Sequence, residues 1–328
     1  MRYRTASALE GVSFSEIGLG CWAFSGPSFW DGYEESSSIS TIHRSLDLGV
    51  NFFDVAPVYG FGEAERVLGT ALKGRDRSSY LVASKCGLVW DEAGKIANDL
   101  HPASIRQEAE ASLRRLQMEY IDLYQIHWPD PSVPIEDSMD ALLRLREEGK
   151  IRFIGVSNFS VALSEEAMKH GAVCSQQSLY NMLERNPSAY HDIVLSYRTE
   201  DEILPFCRKH GQAFFPYSPL FQGLLAGEFD RSMRFGERDV RRNNPKLQGS
   251  EYARRLSVVS SLKQYCADSI GKPLNEVAIN WLLYRREVTS VICGAQNERQ
   301  IEANARAAQW QLSEEQYREL NRIAQGAV

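Results

Sequence analysis

Short apolar runs alternate with segments of helical periodicity along most of this chain. One apolar run covers Ile17–Leu19, and the others end at Phe53, Lys85, Ile126, Val156, Gln177, Pro216 and Cys293. Between the runs, apolar positions recur with helical spacing over Ser40–Leu48, Glu63–Leu72, Pro102–Leu116, Ile135–Glu148, Ser164–Lys169 and Glu200–His210. This alternation is typical of βαβ units that build a parallel sheet.

Residues at the ends of these segments support the predicted helix boundaries. Gly49, Gly149 and Gly211 each follow a segment, at the position of a left-handed C-terminal cap. Pro102 begins its segment, and proline is favoured at the first position of a helix. Three helix ends and one helix start are therefore predicted by independent signals.

Eight strands joined by helices predict a (β/α)8 TIM barrel. Successive early strands end about 30 to 40 residues apart, as β-helix-β units require. The 328 residues would suggest two domains at roughly 150 residues each, but α/β barrels run to about 250 residues or more as one domain. We therefore expect a single barrel domain over residues 1–328, with a doubly wound parallel sheet as the alternative.

Three segments lie outside the repeating pattern. The first 14 residues predict a β-hairpin, with arms TASAL and VSFSE around Glu10 and Gly11, that plugs the N-terminal end of the barrel. The stretch Gly227–Arg255 is interrupted by glycine and rich in arginine, and a loop of that length is usually functional. We expect a helical tail from Gln311 onwards.

Composition narrows the class of protein without indicating its chemistry. Apolar residues make up 43% and charged residues 24%, and the net charge is −6 with a pI near 5.7. These values exclude a disordered or collagen-like chain and give no basic face for nucleic acid. No run approaches the roughly 18 apolar residues of a membrane span, and the start lacks an apolar signal core. We expect a cytoplasmic protein that binds neither nucleic acid nor membrane.

The cysteines do not indicate a metal site. They are scattered, without a C-x-x-C pair or a histidine at ligand spacing, at Cys21, Cys86, Cys174, Cys207, Cys266 and Cys293. Cys86 directly follows Lys85 and is interpreted as a small buried apolar side chain, with a reactive thiol as the alternative.

Polar side chains follow three consecutive strands of the predicted barrel. The second strand leads to Asp54 and then Tyr59, the third ends in Lys85, and the fourth is followed by His127. Each of the four has an ordinary structural explanation when taken alone, such as a helix cap, an ion pair or a buried histidine. Side chains at the C-terminal ends of barrel strands converge on one pocket, however, so the four together predict an active site.

The chemistry of these four residues is that of a general acid. A tyrosine with a pKa near 10 is a poor proton donor at neutral pH. We expect the Lys85 ammonium to lower that pKa by stabilising the phenolate, while Asp54 anchors the ammonium. His127 would orient the group that is protonated. Because no nucleophile or metal cluster accompanies this acid, carbonyl reduction by a hydride from a cofactor is the predicted reaction.

Motifs along nearly the whole chain closely resemble the aldo-keto reductase superfamily. They appear in the expected order as DVAPVYGFGEAE, the Ser84–Lys85 pair, YIDLYQIHWPD, GVSNF, the run Gln177-x-x-Tyr180-Asn181 and YSPL..GLL. The HWPDP and DVRRNNPKLQ stretches look most like the bacterial general-stress and inositol-operon reductases, a branch related to potassium-channel β-subunits. The resemblance implies Tyr59 as general acid, Lys85 and Asp54 as its tuning pair, and His127 as the residue that orients the substrate.

The resemblance also implies an extended NAD(P)H across the mouth of the barrel, with residues 227–255 as the loop that covers it. Ser157, Asn158 and Gln177 would hold the carboxamide, and Tyr217 would stack on the nicotinamide. The other implied cofactor contacts are Gly20, Cys21, Trp22, Asp54, Ser218, Pro219, Leu220, Gln222, Gly223, Leu225, Arg241, Gly294, Gln296, Gln300 and Asn304. Trp22, Tyr59, His127 and Trp128 would line the pocket for a small-molecule carbonyl substrate.

The cofactor is predicted to be NADPH, with NADH as the alternative. Many members of the superfamily carry Lys or Arg directly after the Gly294–Ala295 pair to bind the 2′-phosphate, whereas this chain has Gln296, Asn297 and Glu298 before Arg299. Position 222, often arginine in such proteins, is glutamine. The preference for NADPH is correspondingly weakened.

Three rival interpretations of the sequence differ in the support that they have. Gly18-Leu19-Gly20-Cys21-Trp22-Ala23 satisfies a relaxed dinucleotide fingerprint, but the residues after it do not form a helix and no acidic ribose partner ends a second strand about 20 residues further on. A barrel glycosidase needs two carboxylates, and Asp54 has no obvious partner. A regulatory or scaffolding subunit that binds the cofactor with negligible turnover is the alternative function. The oligomeric state is left open.

Overall fold

Eight parallel strands form the central sheet of the structure, a computed structural model that describes residues 1–237 and 239–327. The order across the sheet follows the chain, and each strand pairs in parallel with its neighbours. The seam between the last two strands of the barrel is bridged where Phe214 pairs with Val288 and the amide of Thr289 donates to the Phe214 carbonyl at 2.9 Å. The strands therefore close into a barrel, which confirms the (β/α)8 prediction and rejects the doubly wound sheet.

The strands, in chain order, are β1 (Tyr3–Arg4), β2 (Phe14–Ser15), β3 (Ile17–Gly20), β4 (Phe52–Asp54), β5 (Leu81–Cys86), β6 (Leu88–Trp90), β7 (Ile96–Asn98), β8 (Ile121–Ile126), β9 (Ile151–Ser157), β10 (Ser175–Leu179), β11 (Ala189–Tyr190), β12 (Ile193–Val194), β13 (Ala213–Tyr217) and β14 (Val291–Gly294). Of these, β3, β4, β5, β8, β9, β10, β13 and β14 form the barrel, and the other six pair as three hairpins.

The helices are α1 (Glu35–Asp47), α2 (Glu63–Leu72), α3 (Pro102–Leu116), α4 (Ile135–Glu147), α5 (Val161–His170), α6 (Leu204–His210), α7 (Gly249–Tyr265), α8 (Leu274–Leu283), α9 (Glu298–Arg306) and α10 (Glu314–Ala324). The helical tail predicted from Gln311 is α10. Its start carries a capping box between Ser313 and Gln316.

The predicted helices differ from the observed ones mainly at their N-termini. α1 begins at Glu35 rather than Ser40, and α5 begins at Val161 rather than Ser164. The segment predicted from Glu200 opens as a π-helical turn over Thr199–Ile203 before α6. α8 escaped prediction because nine of its ten residues are buried, which removes the polar face that marks an amphipathic helix.

The N-terminal hairpin closes the bottom of the barrel. β1 and β2 pair in antiparallel fashion over two residues each, and the TASAL arm is a 3₁₀ turn over Ser7–Leu9 rather than a strand. Phe14 packs on Phe52 and Phe215, with ring centroids 5.1 and 5.2 Å apart. The predicted plug is therefore built from side chains more than from strand pairing.

The long segment after β13 is only partly a loop. Residues up to Gln248 contain the 3₁₀ turns Val240–Asn243 and Pro245–Leu247, and helix α7 begins at Gly249, so the predicted loop ends earlier than Arg255. Arg238 lies outside the described residues. Within the described part of the chain, no helix has the length and apolar character needed to cross a membrane.

Candidate active site

Four polar side chains from successive barrel units meet at the C-terminal ends of the strands. Asp54 is the last residue of β4 and Lys85 lies near the end of β5, while His127 follows β8 directly. Tyr59 is in the turn after β4, where its amide donates to the Ala56 carbonyl at 3.1 Å. The four residues that the sequence predicted as catalytic are thus placed at one mouth of the barrel.

Lys85 and Asp54 form a buried ion pair. The Lys85 ammonium is 2.7 Å from Asp54 Oδ1 and donates a second hydrogen bond to the Val55 carbonyl at 3.0 Å. Lys85 is fully buried and Asp54 is 2% exposed. Leaving either charge unpaired here would be costly, so each compensates the other.

Two amides complete the surroundings of Asp54. Its Oδ2 accepts from Gln177 Nε2 at 2.8 Å and, more weakly, from Gln125 Nε2 at 3.5 Å. Gln125 lies in β8 with its side chain inside the barrel, and its Oε1 is buried without a partner among the described residues. The carboxylate is therefore fixed by groups from three other strands.

Tyr59 and His127 face each other beside this pair. Their rings are 5.8 Å apart at an edge-on angle, and the Lys85 ammonium is 5.3 Å from the centre of the Tyr59 ring. Neither the Tyr59 hydroxyl nor the His127 ring nitrogens hydrogen-bond to any described residue, and both side chains are half-buried. Two polar groups are thus free to contact one small molecule.

Both groups are neutral at pH 7. Burial, reinforced by the Asp54 carboxylate, raises the pKa of Tyr59 well above its ordinary value. Burial and the Lys85 ammonium lower the pKa of His127 well below its ordinary value. The predicted lowering of the Tyr59 pKa is therefore wrong for the protein by itself, because Asp54 neutralises the ammonium and burial disfavours the phenolate. What the site offers is a protonated phenol beside a neutral imidazole.

The residues predicted to hold a carboxamide are grouped on the next strands. Asn158 donates to the His127 carbonyl and to Ser157 Oγ, both at 3.1 Å, and its Oδ1 accepts from the hydroxyls of Tyr197 and Tyr217 at 2.9 and 2.8 Å. The amide of Asn158 is therefore fully used within the protein. In contrast, the hydroxyl proton of Ser157 and Gln177 Oε1 are not engaged by the described residues.

Strained backbone marks the loop after β13. Ser218, Phe221 and Gln222 have φ angles of 55°, 48° and 54°, in the left-handed region that non-glycine residues rarely adopt. Gln222 bridges two segments, since Nε2 lies 3.0 Å from His191 Nε2 and Oε1 accepts from Asn244 at 2.8 Å. Strain of this kind is kept where a site requires a particular backbone shape.

Arg241 reaches this loop from the long segment. Its Nε and Nη2 bind the Asp239 carboxylate, and its guanidinium lies 5.5 Å from the Trp30 ring and 4.8 Å from Phe235. Nη1 has no partner among the described residues and lies 3.7 Å from where a Cβ on Gly223 would be. The structure therefore brings Arg241, Gly223 and the strained loop together.

The residues predicted for the adenosine end lie around the start of α9. The Gln296 amide donates to Gln300 Oε1 at 2.7 Å, and the Asn304 side chain is buried and donates to the Gly294 carbonyl at 3.1 Å. A surface cleft nearby is lined by Glu34, Ser36, Ser37, Ser40, Asn297, Glu298 and Arg299. Arg299 therefore faces three serines of the segment that begins α1.

Several predicted contact residues point their side chains into the core. Cys21 and Leu225 are fully buried, and Pro219 is buried too. A Cβ on Gly20 would lie 2.8 Å from Ile292 Cγ2, so this glycine lets β3 and β14 pack. Such residues could meet a cofactor only through their backbone, whereas Leu220 is half-buried and Gly294 exposed.

Aromatic residues wall the mouth, including ones that sequence reasoning missed. Trp22 packs edge-on against Trp30 at 5.2 Å, and Tyr190 lies 6.3 Å from Trp128 and 5.4 Å from Tyr217. Tyr190 belongs to the hairpin β11–β12, which has no strand-end position in the barrel pattern. The sequence signal for Tyr190 is only an aromatic residue within a loop segment.

The six cysteines are buried and free. Burial, with a smaller contribution from Glu108, raises the pKa of Cys86 well above its ordinary value. A thiol in that environment stays protonated, so the apolar interpretation of Cys86 agrees with the structure.

Comparison with known proteins places these features in a family. The model of the aldo/keto reductase family matches residues 16–325. Aldo-keto reductase YhdN of Bacillus subtilis is 35% identical, covering 99% of this chain and 94% of its own length. The NADH-specific methylglyoxal reductase of Escherichia coli is 33% identical over 92% of each chain.

A solved structure supports the same family. The structure of the glycerol dehydrogenase AKR11B4 from Gluconobacter oxydans has a TM-score of 0.85 at 34% identity and covers 98% of this chain and 94% of its own. The resemblance inferred from the motifs is therefore confirmed along the whole barrel. This chain belongs to the aldo/keto reductase family, whose members use nicotinamide cofactors.

Proposed function

We propose that this protein reduces aldehydes or ketones to alcohols with a nicotinamide cofactor, and that Tyr59 is the general acid. The observation that carries the proposal is a free Tyr59 hydroxyl and a free His127 ring beside the buried Lys85–Asp54 pair. Two neutral donors on neighbouring rings suit a carbonyl oxygen on which negative charge develops.

One free donor and one free acceptor of the site fit a nicotinamide carboxamide. Ser157 has a hydroxyl proton to give to the carboxamide oxygen, and Gln177 Oε1 can accept from the carboxamide N–H. Asn158, whose amide is already satisfied, holds the Tyr217 hydroxyl at 2.8 Å and so orients the ring on which the nicotinamide would stack. The role of Asn158 is thus to position Tyr217.

The cofactor and the protein would contribute different groups to the reduction. When bound, a reduced nicotinamide would supply the hydride that adds to the carbonyl carbon. Tyr59 holds the carbonyl oxygen by its O–H and gives it the proton, while His127 donates a second hydrogen bond to the same oxygen. Tyr59 is left as a phenolate near the Lys85–Asp54 pair, and solvent restores its proton because the side chain is half-buried.

The long segment before α7 completes the proposed cofactor site. Arg241, whose Nη1 is beside Gly223, would bind a pyrophosphate oxygen, and residues 227–248 would cover the cofactor. We propose NADPH as the preferred form because Arg299 lines the cleft at the start of α9. The two glutamates of that cleft oppose a phosphate, so NADH remains the alternative.

Substitution of Tyr59 tests the catalytic assignment. Tyr59→Phe removes the proton donor and keeps the ring, and we expect carbonyl reduction to fall by about 10²–10⁴-fold with cofactor binding retained. Tyr3→Phe, at the opposite end of the barrel, is the matched control. Unchanged reduction by Tyr59→Phe would overturn the assignment.

Measurements on the wild-type protein distinguish the reductase from the alternative, a cofactor-binding subunit with negligible turnover. Titration with NADPH and NADH, followed by tryptophan fluorescence, measures cofactor binding. A panel of aldehydes measures turnover. Tight cofactor binding with no turnover of any aldehyde would favour the regulatory subunit over the reductase.

A further inference from the structure

Three polar side chains join the hairpin β11–β12, the strained loop after β13 and the long segment before α7. His191 is in the turn of the hairpin, Gln222 is in the loop, and Asn244 is in the long segment. Gln222 Nε2 lies 3.0 Å from His191 Nε2, and Gln222 Oε1 accepts from Asn244 Nδ2 at 2.8 Å. We call these three residues the amide bridge.

The hydrogen-bond network assigns a direction to the whole amide bridge from one end. Asn244 Oδ1 accepts from the backbone amide of Lys246 at 3.0 Å, so Asn244 Nδ2 is the group that donates to Gln222. Gln222 Oε1 is thereby the acceptor, and Gln222 Nε2 donates to His191. His191 Nε2 therefore carries a lone pair and the ring proton is on Nδ1, so the amide bridge requires a neutral imidazole.

The surroundings of His191 keep its imidazole neutral at pH 7. The ring is half-buried and meets the Tyr190 ring edge-on, with 4.6 Å between centroids. Lys246 of the long segment and Glu184 of the loop after β10 form an ion pair on the small cavity that His191 lines, and Asp192 beside it in the turn is exposed. Burial, reinforced by the Lys246 ammonium and opposed by Asp192, lowers the pKa of His191 below its ordinary value.

The backbone holds both ends of this imidazole–amide contact at an energetic cost. The hairpin turn has two residues, since Tyr190 pairs with Ile193, and His191 is the first of them with a φ of 50°. Glycine is the residue that suits a positive φ at this position. Gln222 has a φ of 54°. Two strained residues that meet through their side chains indicate that the contact is used, because strain of this kind is kept at functional positions.

The amide bridge adjoins the residues proposed for the cofactor. The residue after Gln222 is Gly223, where a Cβ would lie 3.7 Å from Arg241 Nη1. Lys246 donates to the Ala189 carbonyl, which ties the long segment directly to the same hairpin. The loop proposed to contact the pyrophosphate and the segment proposed to cover it are therefore both fastened to the hairpin.

We infer that His191 is a positioning residue whose neutral imidazole holds Gln222 and the long segment in place at the cofactor site, so that protonation of His191 releases them and weakens cofactor binding. The inference rests on the proposed function and adds a regulation by pH to that site. Protonation turns His191 Nε2 into a donor that faces the donor Gln222 Nε2. Gln222 cannot correct this by rotating its amide, because its NH₂ group would then face Asn244 Nδ2. The apparent affinity for the cofactor falls with the fraction of molecules that keep the amide bridge.

Two substitutions at position 191 separate the accepting form from the donating one. His191→Gln has an oxygen that accepts from Gln222 at every pH, whereas His191→Lys offers only donors, as the imidazolium does. The dissociation constant for NADP⁺ is measured by tryptophan fluorescence at pH 8 and pH 5. We expect the ratio of the wild-type constant to that of His191→Gln to rise about threefold to tenfold between these pH values, and His191→Lys to bind weakly at both.

The ratio to His191→Gln removes the titration of the cofactor's 2′-phosphate, which is common to both proteins. His170→Gln, at the end of α5, is the control for loss of a histidine elsewhere and should follow wild type. A ratio that stays constant with pH would overturn the inference, as would a His191→Lys variant that binds NADP⁺ as tightly as wild type.

Measurements on the cofactor-free protein keep this inference separate from the proposed function. In ¹⁵N NMR of the histidine rings, assigned with His191→Gln, the ring proton of His191 should be on Nδ1 at pH 8. Backbone amide exchange of residues 239–248 should be faster in wild type than in His191→Gln at pH 5 and equal at pH 8. If the wild-type protein binds no NADP⁺, the proposed function fails and this exchange decides the inference, which equal exchange at both pH values would overturn. A ring proton on Nε2, or a His191 that stays neutral at pH 5, also overturns it.

Discussion

Glu108 is a carboxyl of α3 that the proposed mechanism does not use. It is 9% exposed, Oε1 accepts from the Gly87 amide at 2.9 Å, and Oε2 is buried without a partner among the described residues. Burial, which outweighs the Gly87 hydrogen bond, raises its pKa to about 7. Gly87 connects β5 to the hairpin that carries Trp90, so Glu108 contacts the start of that hairpin.

Glu108→Gln should make the folded protein more stable at alkaline pH. A carboxyl whose pKa is raised on folding ionises first in the unfolded chain, so it opposes folding increasingly as pH rises from about 4.5 to 7. Glutamine removes that term while still accepting from Gly87, and we expect a gain of up to about 3 kcal/mol at pH 8 and none near pH 4. Urea unfolding at both pH values measures it.

The exposed Glu147→Gln is the control, for which the two pH values should give the same small change. A Glu108→Gln variant that is equally destabilised at pH 4 and pH 8 would show that packing, rather than ionisation, dominates at this position.

Arg299 is the residue on which the cofactor preference should depend. If it binds a 2′-phosphate, Arg299→Ala should weaken NADPH about fivefold to tenfold and leave NADH affinity unaltered, since NADH lacks that group. Fluorescence titration with both cofactors gives the comparison, and Arg322→Ala on α10 controls for the lost positive charge. Parallel weakening of both cofactors would contradict the NADPH proposal.

At the scale of elements, helix packing overrides helix propensity at Gly69 in α2. Alanine is favoured over glycine inside a helix by about 1 kcal/mol. A Cβ on Gly69 would, however, lie 2.6 Å from the Leu116 carbonyl oxygen and 2.7 Å from that of Arg115, where α3 ends. Glycine is therefore what allows α2 and α3 to approach.

Gly69→Ala should lower the free energy of unfolding by about 2 kcal/mol or more, because both close atoms belong to backbone that cannot rotate away. Thermal or urea unfolding measures the change. Thr70→Ala, one position along and exposed, should be neutral or slightly stabilising. A stabilised Gly69→Ala would mean that the two helices move apart freely.

At the scale of the whole molecule, the two ends of the barrel have separate tasks. The bottom is sealed by Phe14, Phe52 and Phe215, and Arg4 ties the hairpin to the carbonyls of Leu283, Arg285 and Val288 at 2.6 to 2.9 Å. The top carries the four polar residues, the strained loops and the aromatic residues of the mouth. Stability and chemistry should therefore respond to different substitutions.

Phe14→Ala should cost about 3–5 kcal/mol of stability, as large-to-small changes of buried aromatics do. Reductase activity per folded molecule should be unchanged at a temperature below the transition. Unfolding curves and kcat/KM measured on the same preparation test both parts, with Tyr3→Ala as the exposed control. A specific loss of activity in folded Phe14→Ala would show that the two ends are coupled.

The sequence by itself determined the order and type of the barrel strands, and it placed their C-terminal ends within two residues of those observed. The alternation of apolar runs and helical periodicity is a local property that the sequence contains. Because strand ends converge in a barrel, Asp54, Tyr59, Lys85 and His127 could be grouped from the sequence alone. The motifs then indicated the family, which the comparisons confirm.

Only the tertiary structure decided the ionisation and the fine division of roles. The pKa of Tyr59 depends on burial and on Asp54 already being paired with Lys85, which no local pattern contains. Asn158 is satisfied by tyrosines 39 and 59 positions away, so it positions Tyr217 instead of offering a free amide. The hairpins with Tyr190 and Trp90 interrupt the barrel repeat. The surroundings of their rings are formed by residues that lie far apart in the chain, so the sequence pattern could not predict them.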